Sequence, residues 1–490
     1  MQIFVLILMQ VLLTPAILNL AGQQNLGAYV IFMQIVGLGL ILDLGFGAAI
    51  GRYLAQSFQG DSGNSSFVDV FNTSRYLLLS TNILLSICLT AFALIAEELI
   101  SASQVVLTEL RYCLLAQAAW VLLRTPLLLY GLSLVASQNM AVSNCIIIFS
   151  SILRFILSYY FLFAGFGLVG LVLSIVISDF VSLTGQRLYF NRKYPEVFLD
   201  WRLPDRNLLT VIGSFGLTYW GVNVGIALTT YTDSIISAHL FGAAAASILY
   251  TTKIPTFLFI QLIYKISDNS APAANELVSN GNFFALRSAY LKIVRYSLLL
   301  AVPLACGIIV FNEKVITAWV GKDQYAGDIA SVALACYALT QVINHVNAMI
   351  TLATGAMRSW MYVSVAAAVL SAVTSYLLGR FFGLQWILVS IALLDIPVLV
   401  FLVRRVAKCL ELTPLIFWRE IIQPIIRVAV PLVLLLSVIS FNNYGQTLFT
   451  LSLCIAAFGV GWSICVYTQG LTEPERKFLL SKVQLAYTRK

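Results

Sequence analysis

The chain has 490 residues, of which 60% are apolar and 10% charged, with a formal net charge of +8. Water-soluble domains carry about 25% charged residues, so a soluble fold of this length could not cover its apolar surface, and a polytopic membrane protein follows. In a soluble protein the positive balance would suggest nucleic acid. Here loop charges that orient helices across a bilayer are the simpler cause, and no nucleic-acid partner is expected.

A crossing helix needs about 20 mostly apolar residues. Fourteen such runs are predicted, at 3–20, 28–50, 71–95, 112–136, 141–164, 168–189, 208–239, 244–265, 289–311, 328–353, 359–379, 384–403, 424–441 and 446–468. The first opens as MQIFVLILMQVLL, with neither the basic flank nor the small-residue cleavage site of a signal peptide. It reads as a helix, and the natural start is expected further upstream. The second ends in LDLGFGAAIGRYL (42–54). Its glycines at 45, 47 and 51 are one residue off the dinucleotide fingerprint and lack a βαβ setting. The stretch reads as a helix-packing segment, with Gly47, Ala48 and Gly51 on one face and Arg52 at the inner interface. The seventh run, 208–239, is long enough to tilt or bend.

With the N-terminus inside, twenty-one of the 29 Lys and Arg residues fall in inner segments and four in outer ones. That ratio predicts both termini in the cytoplasm and an even helix count. The outer loops are short and offer no extramembrane domain. The basic tail 469–490 fixes topology or lies along anionic headgroups.

FGLVGLVLSIVISDF (166–180) and FGLQWILVSIALLDI (382–396) match at six of fifteen positions at an offset of 216, including Gly167/Gly383 and Asp179/Asp395. Arg75-Tyr76 and Arg295-Tyr296, and Gly22 and Gly242, are related by 220. Six helices per repeat give the halves one orientation, so the expected fold is all-α: two six-helix lobes related by a pseudo-two-fold along the membrane normal, with two C-terminal helices. The lobes are expected at 1–190 and 208–410, a cytoplasmic linker at 191–207, and the extra helices and basic tail at 411–490.

Charges inside a bilayer are costly and usually face a bundle interior or water. Arg124, Arg154 and Lys253 fall ~14–20 Å from their helix ends, near the midplane of a ~30 Å core. Three cations at one depth suggest a polyanion site, with helix gluing as the plainer alternative. Polar stripes accompany them: Ser143, Ser150, Arg154 and Ser158 in the fifth run; Tyr219, Asn223, Thr230, Asp233 and Ser237 in the seventh; Tyr250, Lys253, Gln261 and Tyr264 in the eighth. Asn223, Thr230, Tyr250 and Gln261 are candidate cavity-lining residues. Asp179 and Asp395, as repeat partners, read as architectural, capping a helix or pairing with a base. Asp233 and Asp43 are candidates for coupling to H+ or Na+, although Asp233 could also pair with Lys253. His345 in the tenth run reads as a helix contact.

No phosphate-binding G-x-x-x-x-G-K-[ST], nucleophile elbow or metal-ligand spacing occurs. No cofactor or metal is expected. The eight cysteines have no CxxC spacing and read as small packing residues.

NLGAYVIFMQ and LDLGFGAAIGRYL with the GDSGN loop after it, together with VITAWVGKDQYA at 315–326, resemble the oligosaccharide flippases. These are the Wzx-type polysaccharide exporters of the multidrug/oligosaccharidyl-lipid/polysaccharide (MOP) superfamily. The resemblance implies a non-enzymatic transporter in the bacterial inner membrane. It implies alternating access that carries an undecaprenyl-diphosphate-linked oligosaccharide outward for surface polysaccharide synthesis. It also implies a cationic lumen, onto which Arg124, Arg154 and Lys253 map by position. Arg52, at the inner interface, anchors its helix or meets an arriving diphosphate. Membrane lipids, a polysaccharide polymerase and a chain-length regulator are the implied partners. A diphosphate is attracted to each cation at 4 Å by about 4 kcal/mol at an effective dielectric of 20, which offsets much of its desolvation. A cation-coupled multidrug extruder of the same superfamily is the alternative, though it would favour an acidic, aromatic cavity. A membrane glycosyltransferase or polymerase would need larger outer loops.

Overall fold

The computed structural model describes residues 2–42, 45–58, 66–195, 203–355, 357–441 and 448–477, and every regular element among them is helical. In order these are α1 (Gln2–Ala21), α2 (Gln23–Leu42), α3 (Phe46–Phe58), α4 (Phe67–Leu99), α5 (Gln104–Ala136), α6 (Met140–Phe163), α7 (Gly167–Lys193), α8 (Arg206–Tyr231), α9 (Asp233–Phe241), α10 (Ala243–Ser279), α11 (Phe283–Val320), α12 (Asp328–Ala353), α13 (Met357–Phe382), α14 (Trp386–Cys409), α15 (Pro414–Phe417), α16 (Gln423–Phe441) and α17 (Leu448–Cys465). A 3-10 turn covers Lys322–Gln324, a π-helical turn (Trp418–Ile422) joins α15 to α16, and another (Val466–Gly470) extends α17. Eleven helices among the described residues are long and apolar enough to cross a membrane, and Val5–Ala21 is a shorter apolar helix. The chain is a multi-pass membrane protein.

Each of the fourteen predicted runs coincides with a helix or a pair of helices. Two runs are pairs. The second ends as α2, and α3 begins at Phe46 after Gly45, whose φ of 71° is left-handed and cheap only for glycine. α3 is amphipathic. Phe46, Ala49, Ile50 and Leu54 are buried against Phe71, Leu129, Tyr130 and Phe190, at helical spacing. The expected close helix contact at Gly51 is corrected, because a Cβ built there meets nothing within 4 Å. The seventh run breaks at Thr232, which separates α8 from α9.

The chain forms two compact units: Met1–Tyr250 with Ser364–Ile387, and Thr251–Val363 with Leu388–Lys490. This grouping by packing cuts across the grouping by repeat. The first unit has one core around Leu26, Phe32, Leu89, Leu110 and Leu114, and a second around α3, where Phe71 and Phe190 each meet Tyr130 edge-on at 5.5 and 5.8 Å. In the second unit Tyr290, Val294, Val346 and Ile350 bury together. A further cluster of Leu299, Phe311, Val428, Leu432 and Phe458 binds α16 and α17 to α11. The segment after α17 is fastened as well. Glu475 Oε1 accepts hydrogen bonds from Arg295 and the Tyr296 hydroxyl, and its Oε2 accepts from Thr472 N at 2.8 Å.

The repeat is visible in the backbone. Gly22 closes α1 with φ 89°, and Gly242 closes α9 with φ 88°. Arg75 and Arg295 are each 5% exposed, and Ser174 and Ser390 are both fully buried.

Candidate functional site

In the first unit, α5 and α7 pack together and bring Arg124 onto Asp179. Arg124 Nη1 donates to Asp179 Oδ2 at 3.2 Å, and Trp120 Nε1 donates to the same oxygen at 2.9 Å. The repeat-matched aspartate is therefore paired with a neighbouring base. Arg124 also borders a cavity of ≈ 170 Å³ whose walls include Val36, Gly39 and Leu42 of α2 and Asn82 of α4. Arg154 Nη2 donates to the Tyr29 hydroxyl at 2.7 Å. Along α2, Tyr29 lies 7–13 residues before the residues that Arg124 faces, which is about 10–20 Å. The two arginines therefore meet α2 at different heights, not at one.

The other predicted residues of this unit are dispersed. Tyr250 accepts a hydrogen bond from Gln10 Nε2 at 2.9 Å. Asn223 and Thr230 are half-buried on α8. Asp233, the first residue of α9, is 2% exposed, and its Oδ1 accepts from Ser234 N at 2.7 Å and from the Ser234 hydroxyl at 3.2 Å. Arg52 is exposed on α3. Asp43 lies outside the described residues.

In the second unit, Lys253 is 5% exposed and its Nζ lies 5.5 Å from the Phe257 ring centroid, a cation–π arrangement. Phe257 in turn stacks on Tyr337 at 5.6 Å. Gln261 is exposed. Asp395 sits in a cage of amides. Its Oδ1 accepts from Gln341 Nε2 and Asn344 Nδ2, both at 3.0 Å. The Tyr264 hydroxyl donates to Gln341 Oε1 at 2.9 Å, and the Tyr264 ring stacks on His345 at 3.8 Å. His345 Nε2 reaches Asp268 Oδ1 at 2.8 Å. A polar chain thus runs from the α14 carboxylate to the α10 surface.

The two aspartates differ in what neutralises them. At the offset of 220, Asn344 holds the place of Arg124. Asp179 has a guanidinium, whereas Asp395 has two amides. Asp395 Oδ2 and Asn344 Oδ1 are buried without hydrogen-bond partners, and the Thr340 side chain lies beside the carboxylate. Sequence reasoning grouped Asp395 with Asp179 and did not see this difference. The signal was Asn344 at the repeat position of Arg124. Among the described residues, no group of His, Cys, Asp and Glu could hold a metal ion.

The fold is that of MOP-superfamily transporters. It is similar to the inward-facing conformation of a multidrug resistance MATE family transporter of that superfamily (14% identity over 82% of this chain and 95% of that one, TM-score 0.68). It is also similar to the lipid II flippase MurJ in an inward closed conformation (12% identity, 93% and 98%, TM-score 0.64). A third likeness is to a MOP superfamily transporter from Pyrococcus furiosus, described as having a binding pocket of reverse polarity (17% identity, 84% and 95%, TM-score 0.60). The sequence matches no protein-family model and no curated protein.

Proposed function

We propose that this protein is a Wzx-type flippase of the bacterial inner membrane, with both termini cytoplasmic, that moves a polyprenyl-diphosphate-linked oligosaccharide outward by alternating access. The observation that carries this reading is Arg154. It lies within a membrane span and its described hydrogen bond is to a neutral tyrosine hydroxyl, so its charge remains available to a diphosphate. Lys253, also buried in a span, is the second candidate contact. Arg124 is tied to Asp179 and contributes less net charge. The likeness to MurJ, described as a lipid II flippase, supports a lipid-linked substrate. Arg52 on the exposed face of α3 remains the candidate for first contact, and a polymerase and chain-length regulator would act on the product.

Direction requires a difference in binding between the inward and outward states. Asp395, whose Oδ2 is buried without a hydrogen-bond partner, is the best-placed carboxylate for a coupling H+ or Na+. Asp233 already accepts from the Ser234 amide and hydroxyl, which leaves it less suited.

The test is translocation of a lipid-linked oligosaccharide in vesicles containing the purified protein. Arg154→Ala and Lys253→Ala are each expected to slow it on the order of 10- to 100-fold, the worth of one charged hydrogen bond, while the protein still inserts and accumulates. No transport above protein-free vesicles under any ion gradient would refute the flippase reading. The likeness to a multidrug MATE transporter supports a second reading, extrusion of cationic drugs, which the same vesicles test with a lipophilic cation.

A further inference from the structure

One cavity of the second unit does not have Lys253 in its walls. It is a groove of ≈ 1010 Å³ in the second unit, walled by the end of α12, the start of α13 and the last four turns of α14. One face of α14 forms its floor. Ile396, Val400 and Phe401 line the apolar part, and Arg404, Arg405 and Lys408 follow on the same side. The spacing 396, 400, 404, 408 keeps these residues on one stripe. Along ~18 Å of helix the stripe changes from hydrocarbon to three cations. Ile396 and Val400 are 45% and 41% exposed, so the apolar part of the groove is open at the surface of α14, within a span that is apolar enough to lie among acyl chains. Arg404, Arg405 and Lys408 are all exposed, and none forms an ion pair among the described residues. Loop charges place this end at the inner leaflet.

We propose that this groove is a docking site for the polyprenyl diphosphate carrier, resting on the flippase reading above. The isoprenoid chain lies over Ile396, Val400 and Phe401, and the diphosphate sits on Arg404, Arg405 and Lys408. The pattern matches that ligand at both ends: one flexible apolar chain for a groove open to lipid, and a doubly charged head for three clustered cations. A bulk phospholipid brings one phosphate and two chains, and matches neither end as well. Thr351 and Thr354 line the facing wall, with their hydroxyls donated to the Asn347 and Ile350 carbonyls. The groove loads substrate from the inner leaflet before it reaches the cations deeper in the spans.

The experiment measures binding of a radiolabelled long-chain polyprenyl diphosphate to the full chain in phosphatidylcholine nanodiscs. The matching polyprenol and phosphatidylglycerol serve as competitors. Replacing Arg404, Arg405 and Lys408 together by Gln is expected to weaken binding on the order of a hundredfold, from about a tenfold share or less per cation near a lipid headgroup. Val400→Trp fills the apolar part without altering charge and is expected to weaken binding at least ~10-fold, the cost of a poorly accommodated side chain. Polyprenol and phosphatidylglycerol are expected to compete poorly. Unchanged binding in both variants overturns the proposal, and so does displacement by phosphatidylglycerol at equal concentration, which would mark a general anionic-lipid site. Vesicle translocation separates this from the flippase reading. Groove-dependent binding without translocation by the wild type would sink only the flippase reading. Normal translocation with groove-independent binding would sink only the docking site.

Discussion

Arg124 Nη1 lies 3.2 Å from Asp179 Oδ2, and this ion pair fastens α5 to α7 within the membrane. Its side chains are 23% and 31% exposed, so the pair is only partly shielded from its surroundings and its worth lies below that of a fully buried one. Arg124→Ala leaves the carboxylate without its cation. We expect a loss of about 1–2 kcal/mol, seen as a lower midpoint in thermal unfolding of the purified protein. Adding Asp179→Asn should recover most of it. If the double variant unfolds as early as the single, the pair is not what Arg124 contributes.

Asp395 yields the opposite expectation for stability. Its oxygen pair has amide partners on one side only, so a charge there is imperfectly compensated. Asp395→Asn removes the charge and keeps the shape. The variant should accumulate normally, unfold no earlier than the wild type, and lose the dependence of transport on a pH or Na+ gradient. Retention of that dependence would exclude Asp395 as the coupling group.

Gly27 and Gly51 make a matched pair. A Cβ on Gly27 would fall 1.8 Å from the Ala243 carbonyl oxygen, a backbone atom, whereas one on Gly51 meets nothing within 4 Å. Gly27→Ala should destabilise by roughly 3 kcal/mol, the upper end of ordinary overpacking. Gly51→Ala should be neutral or stabilise by up to about 1 kcal/mol, because alanine is the better helix former. Thermal unfolding of the two variants side by side checks both.

The Glu475 contact is pH-sensitive. Burial works to raise its carboxyl. Hydrogen bonds from Tyr296 and Thr472 and the charge of Arg295 outweigh burial and hold it below the ordinary 4.5. A carboxyl depressed in the folded state stabilises fully above its unfolded value, and that contribution disappears as pH falls through the folded one. Protection of residues 471–477 from proteolysis should therefore be constant from neutral pH to about 5 and be lost at lower pH. Glu475→Gln should lose that protection at all pH values.

Much of the helix content was legible because apolar runs of membrane length admit few alternatives. The break between α2 and α3 was not. Apolar residues continue through it, and the left-handed Gly45 is one glycine among three in the stretch. That Asp179 would be capping a helix or paired with a base was legible from its cost inside a membrane. Which base it takes depends on how α5 packs against α7, and no local pattern states that. Arg404, Arg405 and Lys408 were legible only as charges that set orientation. Their position at the end of an apolar stripe gains meaning once α12 and α13 wall the groove.

The contact between Arg295 and Glu475 joins residues 180 positions apart. At ~5–20 residues per second of synthesis, Arg295 waits about 10–40 s for its partner to leave the ribosome. Until then α11 sits in the bilayer with a buried guanidinium still lacking its carboxylate. The second unit therefore completes its assembly only near the end of translation, and a reporter fused before residue 475 would interrupt maturation as well as topology.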